Sequence, residues 1–187
     1  MKELRTERLL LRRWRESDLA PWAALNADPE VREHLGGVLT RERSDASVAR
    51  FEAAIERRGY GWLAVEVRES GEFIGFAGLD DVEEQAPVSG VEIGWRLARA
   101  AWGHGYATEA ARAVLAYGFG PLALPEVLAV TTAANLRSQA VMRRLGMTRD
   151  PAEDFDDPGA PEGPLRRNVV FRLRREAHAV QGSREGA

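Results

Sequence analysis

Apolar residues come in short runs separated by polar, glycine and proline punctuation, and the period of each run predicts its element. Leu9-Leu10-Leu11, within Arg8 to Trp14, predicts a first strand whose charged flanks suit a place near a sheet edge. Trp62 to Val67 and Phe73 to Leu79 predict two more, with Glu69 to Glu72 as the hairpin turn between them. Val91 to Leu97, the β-branched-rich Val127 to Thr132, an extended stretch from Met147-Thr148 and Val169 to Leu173 complete the strands. Helical spacing groups Leu19, Trp22, Ala23 and Asn26 after a cap at Ser17 or Asp18. A short helix follows Asp28-Pro29-Glu30 and stops at Gly36-Gly37. Val48, Phe51 and Ile55 mark a long amphipathic helix from Ser44 to Arg58, ended by Gly59. Two further helices run from Ala107 to Tyr117 and from Leu136 to Leu145, the latter ended by Gly146. Asp80 to Gly90 and Asp150 to Pro164 are acidic loops, the second flexible or a hairpin tip.

This order predicts an α+β (mixed α/β) domain with a central mixed sheet flanked by helices. One domain over 1–175 suffices, and the small, polar residues 176–187 are expected to be a disordered tail. The strand–helix–strand unit over Val91 to Thr132 must pair parallel, and ligands bind where such a sheet splays.

Composition narrows the chemistry. With no cysteine, thiol catalysis, disulfides and Cys-ligated metals are excluded. His34, His104 and His178 lack ligand spacing, so no metal site is expected. A net charge of −3 gives no reason to expect nucleic acid or an acidic membrane surface, and no segment approaches a membrane span. A cytoplasmic location is the expectation.

The stretch that carries most information is Trp102-Gly103-His104-Gly105-Tyr106-Ala107-Thr108-Glu109-Ala110, between a predicted strand and a predicted helix. Two glycines one residue apart permit a tight turn and close backbone approach. The helix opening after them offers unpaired N–H groups and a dipole suited to a diphosphate. Alone, the pattern fits an empty turn as well. It is neither a P-loop, lacking Lys-Ser/Thr, nor a dinucleotide fingerprint, since Thr108 stands where the third glycine would be.

That stretch resembles the acetyl-CoA loop of the GNAT acetyltransferase superfamily, Gln/Arg-x-x-Gly-x-Gly/Ala, with Trp102 for the first residue. A second segment, Asn135-Leu136-Arg137-Ser138-Gln139-Ala140-Val141-Met142-Arg143-Arg144-Leu145-Gly146-Met147, resembles the Asn-x-x-Ser…Leu-Gly-Phe helix of its Rim-type branch, which acetylates protein N-termini and other amines. The start, Leu4 to Arg12, is similar to that branch too. The resemblance implies a GNAT fold: about seven strands, mostly antiparallel, splayed at the acetyl-CoA site. It implies acetyl transfer from acetyl-CoA to a primary amine, a protein N-terminus or a small molecule, by direct attack in a ternary complex. The diphosphate would rest on the amides from Gly103 to Thr108, His104, Gly105, Tyr106 and Ala107 included. The pantetheine arm would lie along Trp95 to Leu97, with Asn135 on its other side.

Glu92, a carboxylate in an apolar strand beside the expected cleft, is the candidate base for the acceptor ammonium, since burial raises a carboxyl's pKa. Equally open are a solvent-facing strand residue and a carboxylate that only binds the amine. Many GNAT enzymes carry a Tyr seven residues after the Asn; here Met142 occupies that position and cannot donate a proton. Ser138 is the substitute the resemblance suggests, with local capping around Asn135 as the alternative. Arg99, Arg137 and Arg144 are candidates for the nucleotide phosphate. His34 and Gly36-Gly37 lie where the family's acceptor loop should be. Acidic loops at Asp80–Glu84 and Asp150–Asp157 suit a cationic acceptor no better than simple solvation. A homodimer is the habit of this branch. The competing expectation is a catalytically inactive CoA- or acyl-CoA-binding sensor or regulatory domain, which the missing Tyr favours and the intact Glu92, Asn135 and Ser138 oppose.

Overall fold

The computed structural model describes residues 3–82, 86–160 and 162–178. Within them, β1 (Leu4–Arg5), β2 (Leu9–Arg12), β3 (Trp62–Val67), β4 (Phe73–Asp81), β5 (Val91–Leu97), β6 (Glu126–Thr132), β7 (Thr148–Arg149), β8 (Phe155–Asp156) and β9 (Arg167–Arg174) form one sheet. Its order is β1-β2-β3-β4-β5-β6-β9-β7, with β8 also on β9. β1, β7 and β8 are two-residue strands, which takes the count past seven. Every pairing is antiparallel except β5 with β6. That parallel pair is in register at one position, Glu92 opposite Leu128. The sheet therefore splits just beyond Glu92, where the topology predicts a ligand.

Among the described residues the helices that cover the sheet are α1 (Leu19–Ala27), α2 (Pro29–Arg32), α3 (Arg41–Arg58), α4 (Tyr106–Phe119) and α5 (Leu136–Arg144). The sheet separates two apolar clusters. One holds Leu79, Ile93, Leu97, Ala110, Val114 and Met142, on the side of α4 and α5. The other is aromatic: Trp14, Trp22 and Phe76, with Phe51, Trp62 and Phe73 against them, on the side of α1 and α3. Their rings meet edge-on or tilted at 5.1 to 6.2 Å, the favoured arrangement for aromatic pairs. The period-2 alternation of β4 and β5 feeds both: Leu79 opposite Ile93 faces the first, Phe76 opposite Arg96 the second.

Local signals worked where their chemistry was unambiguous. Asp28 caps α2 by accepting from Glu30 N at 2.9 Å, and Gly59 ends α3 in the left-handed region, φ 79°. Two expectations need correction. α3 begins three residues before Ser44, because Thr40 is its cap, accepting from Arg43 N at 3.3 Å. Asp18 does not cap α1; the buried Arg12 guanidinium takes it, at 2.7 and 2.9 Å. Of the two readings of Asp150 to Pro164, the hairpin tip fits and the flexible loop does not fit its first part. Asp150 caps a short 3-10 turn, Asp154 is buried against Arg149, and β8 pairs with β9. Asp80 and Asp81 at the end of β4 are likewise paired with Arg58. Glu83, Glu84, Pro161 and the tail from 179 onward lie outside the described residues; residues 175–178 are helical, and His178 packs on Phe119 at 5.0 Å.

Candidate active site

A cleft of about 1630 Å³ runs through the split between β5 and β6 and opens on both faces of the sheet. On one side it is lined by the Gly103–Thr108 turn, the start of α4 and the start of α5. On the other it is lined by Arg32, Leu35, Phe51, Trp62, Phe76 and neighbours. Glu92 to Leu97 of β5 lie between the two halves.

The turn is built for open backbone. Gly103 and Gly105 sit at φ 80° and 79°, which side-chain-bearing residues rarely adopt. Gly105 is the N-cap of α4 and supplies no side-chain oxygen, so the N–H groups of Tyr106, Ala107 and Thr108 have no partner within the helix. Trp102 fastens the turn to β5 through Nε1 to Leu97 O at 2.9 Å, and Arg137 stacks on its ring at 4.5 Å. His104 does not line the cleft. Its ring stacks on Tyr106 at 5.5 Å.

A second fastening was invisible in the sequence. Glu109, in the first turn of α4, accepts from Thr6 Oγ1 at 2.6 Å, Arg8 N at 2.9 Å and Arg8 Nε at 2.7 Å. Arg8 also donates from Nη1 to His104 O at 3.0 Å and stacks over Tyr106 at 4.7 Å. Burial works against the Glu109 charge, but the bonds from Thr6 and Arg8 outweigh it and hold the carboxyl below its ordinary value. Both lie in segments that carry the family resemblance, Leu4 to Arg12 and Trp102 to Ala110, but nothing in a spacing of about a hundred residues says that they meet.

On the far side of the split, Asn135 caps α5, accepting from Ser138 N at 3.1 Å while its Nδ2 donates to Thr131 Oγ1 at 2.9 Å. The cap is thus the Asn135 side chain, and Ser138 Oγ makes no hydrogen bond among the described residues. Ser138 is half-buried and lines the cleft. Met142 is 1% exposed and belongs to the core. Glu92 is half-buried, lies across from Asp80 and lines the cleft with Gly94, Trp95 and Leu97. A Cβ on Gly94 would come within 2.9 Å of the Trp62 ring, so the indole lies directly on the backbone there. Arg137 and Arg144 line the cleft; Arg99 does not, because Asp28 and Glu30 hold it. Among the described residues no three His, Cys, Asp or Glu side chains cluster to hold a metal, and no helix is long and apolar enough to cross a membrane.

A family model described as the acetyltransferase (GNAT) domain matches residues 8–148. The chain belongs to the GNAT acetyltransferase family. It is 34% identical over 151 residues to YkkB of Bacillus subtilis (strain 168), covering 78% of this chain and 84% of that one. It is 32% identical over 159 residues to the FsC-acetyl coenzyme A-N(2)-transacetylase of Aspergillus fumigatus, covering 78% of this chain and 66% of that longer protein. The crystal structure of an acetyltransferase from Agrobacterium tumefaciens superposes with a TM-score of 0.76 at 30% identity, over 93% and 95% of the chains. A RimL ribosomal L7/L12 alpha-N-protein acetyltransferase in complex with coenzyme A shares the fold, TM-score 0.75 over 94% and 99% of the chains, at 17% identity. As a GNAT enzyme the protein is an acyl-CoA-dependent acetyltransferase, and GNAT acetyltransferases use acetyl-CoA as co-substrate. The residues present fit that molecule: three unspent N–H groups at the mouth of α4, basic side chains along the same half, and a split sheet leading inward.

Proposed function

We propose that the protein transfers an acetyl group from acetyl-CoA to a primary amine by direct attack, with both substrates held in the one cleft. The observation that carries this reading is the split at Glu92 opposite Leu128, which joins the Gly103–Thr108 half of the cavity to the aromatic half. Positioning of this kind supplies most of the rate in a two-substrate transfer. The amides from Gly103 to Thr108 hold the diphosphate, and Asn135 and β5 flank the arm. Glu92 draws the proton from the acceptor ammonium, directly or through water. Ser138 Oγ, unspent by capping, returns a proton to the leaving sulfur, in the role that Met142 cannot fill. The Aspergillus relative is an acetyl coenzyme A-N(2)-transacetylase by name, which supports nitrogen as the acceptor. The Rim-type affinity rests on the two sequence segments, since the RimL likeness speaks for the fold alone.

Thiol release from acetyl-CoA over a panel of primary amines is the test. Turnover is expected on at least one, and Glu92→Gln is expected to lower kcat by about 10²-fold or more at neutral pH, with part of the loss recovered as pH rises. Binding of acetyl-CoA without turnover on any amine would instead establish the sensor reading.

A further inference from the structure

The half of the cleft away from the α4 turn is cationic, and among the described residues neither Arg32 nor Arg96 pairs with a carboxylate. Arg96 follows Glu92 and Gly94 on the same face of β5. Its guanidinium stacks at 5.3 Å on both Trp22 and Phe76. Of its five N–H groups, the only hydrogen bond among the described residues is Nη1 to Asn26 Oδ1, at 2.8 Å. Arg96 Nε is enclosed without a partner, and so is the neighbouring Asn26 Nδ2. Arg32, 7% exposed, lines the same cleft and among the described residues donates only to main-chain carbonyls, Nε to Gly37 and Nη2 to Leu35, both at 2.6 Å. The nearby carboxylates Asp28 and Glu30 are taken by Arg99. Burial, and then the charge of Arg32, push Arg96 down to about 9, so it stays a cation at neutral pH but a costly one. Two like charges with neutral acceptors, Arg32 buried and Arg96 half-buried between two rings, are a poor structural device, because uncompensated burial of charge is expensive.

We propose that the acceptor amine carries a carboxylate, which Arg96 receives beside Arg32, so that the substrate is a small amino acid-like molecule with an apolar body. The inference rests on the acetyl-transfer reading above. Its geometry is a line along one strand. Glu92 stands at the end where the amine must lose its proton, and Arg96 lies four residues on, about 13 Å along the backbone before either side chain reaches inward. Phe51, Trp62 and Phe76 wall the space between and suit an apolar or aromatic body. The fold also ties recognition to the loop at Gly36-Gly37, because Arg32 holds that loop through its carbonyls. Of the acidic loops, the described residues Asp80, Asp81 and Asp154 are spent on arginines of their own.

The experiment compares matched acceptors, para-(aminomethyl)benzoate against para-(aminomethyl)benzamide and para-(2-aminoethyl)benzoate against para-(2-aminoethyl)benzamide, by thiol release from acetyl-CoA. The carboxylate member of each pair is expected to have the higher kcat/KM by about 10- to 100-fold, the worth of a hydrogen-bonded charge. In Arg96→Gln the ratio is expected to collapse toward one. Equal rates in the wild type, or a ratio that survives in Arg96→Gln, overturn the inference while leaving amine acetylation standing. A second arm uses the wild type alone, with para-methylbenzoate and para-methylbenzamide, neither of which has an amine, as thermal-shift ligands in the presence of CoA. It decides the matter if Arg96→Gln does not fold or if no amine turns over. A larger melting shift with the carboxylate supports the inference, and equal shifts overturn it.

Discussion

Replacing Glu109 with Gln tests whether the amino-terminal segment is what holds the glycine turn in place. Glu109 is 18% exposed at its side chain and ties three donors from Thr6 and Arg8 to the first turn of α4. The Arg8 side chain is 45% exposed, so its share of the ion pair is worth at most about 1 kcal/mol. The bonds from Thr6 Oγ1 and Arg8 N are shielded and charge-assisted. Losing the charge weakens each, and Gln presents a single acceptor oxygen where the carboxylate uses two; together these cost about 2 kcal/mol. For a chain of this length each kcal/mol moves the midpoint by roughly 2–4 °C, so Tm should fall by about 4–8 °C. The sign with pH follows from a carboxyl held below its ordinary value in the folded state. Its contribution is complete above the unfolded value, about 4.3, and disappears as pH falls through the lower folded value. The gap between wild type and variant should therefore be constant from pH 8 to about pH 5 and close in acid. Thermal melts across that range read it. A second readout is KM for acetyl-CoA, which should rise because Arg8 also holds His104 O. A variant that melts within 1 °C of wild type at pH 7, or a gap that persists unchanged in acid, would refute the argument that this carboxylate fastens the turn.

Two other substitutions separate backbone from side-chain effects. Gly105→Ala puts a Cβ on a residue at φ 79° with its nearest neighbour a movable Arg8 Nη2 at 3.6 Å, so the cost is backbone strain of about 1 kcal/mol, read as a lower Tm, with a raised KM for acetyl-CoA read by thiol release. Asp18→Asn removes one of the two carboxylates facing Arg12, in a pair only 2% and 3% exposed, and leaves Glu66 at 2.8 Å; it should cost about 1–3 kcal/mol, measured by urea unfolding, with the affinity for acetyl-CoA in the remaining folded protein unchanged.

What the sequence carried was local. The turn at Gly103 and Gly105, the asparagine cap of α5 and the strand bearing Glu92 could be found because each is written in a few adjacent residues. Asp18 shows where that stops. Asp is a good cap by type, yet the buried Arg12 guanidinium competes for it, and only the β2 to α1 packing reveals which partner wins. Thr40 was missed for the opposite reason: the apolar stripe of α3 starts after its first turn, and periodicity cannot see a helix before its first buried residue. The fastening of Glu109 by Thr6 and Arg8, and the meeting of Arg32 with Arg96, depend on pairing across the sheet and on helix placement, which no short window contains.

The split sheet explains why the two halves of the site could be read so unequally. On the proposed reading the half that faces α4 takes acetyl-CoA through backbone N–H groups, so its signal is a glycine pattern written in a few adjacent residues. The other half is lined by side chains carried by α2, α3, β3, β4 and β5, spread over about sixty residues of chain, and on the proposed reading these do the recognising without touching the turn. Specificity in this architecture is therefore expected where the motif is absent. Arg96 illustrates it: one residue beyond Trp95, on the strand that feeds the glycine turn, it points into the aromatic side through its pairing with Phe76 and leaves the α4 side untouched. A change at 96 should alter which amine is used while KM for acetyl-CoA holds, whereas a change at 105 should do the reverse.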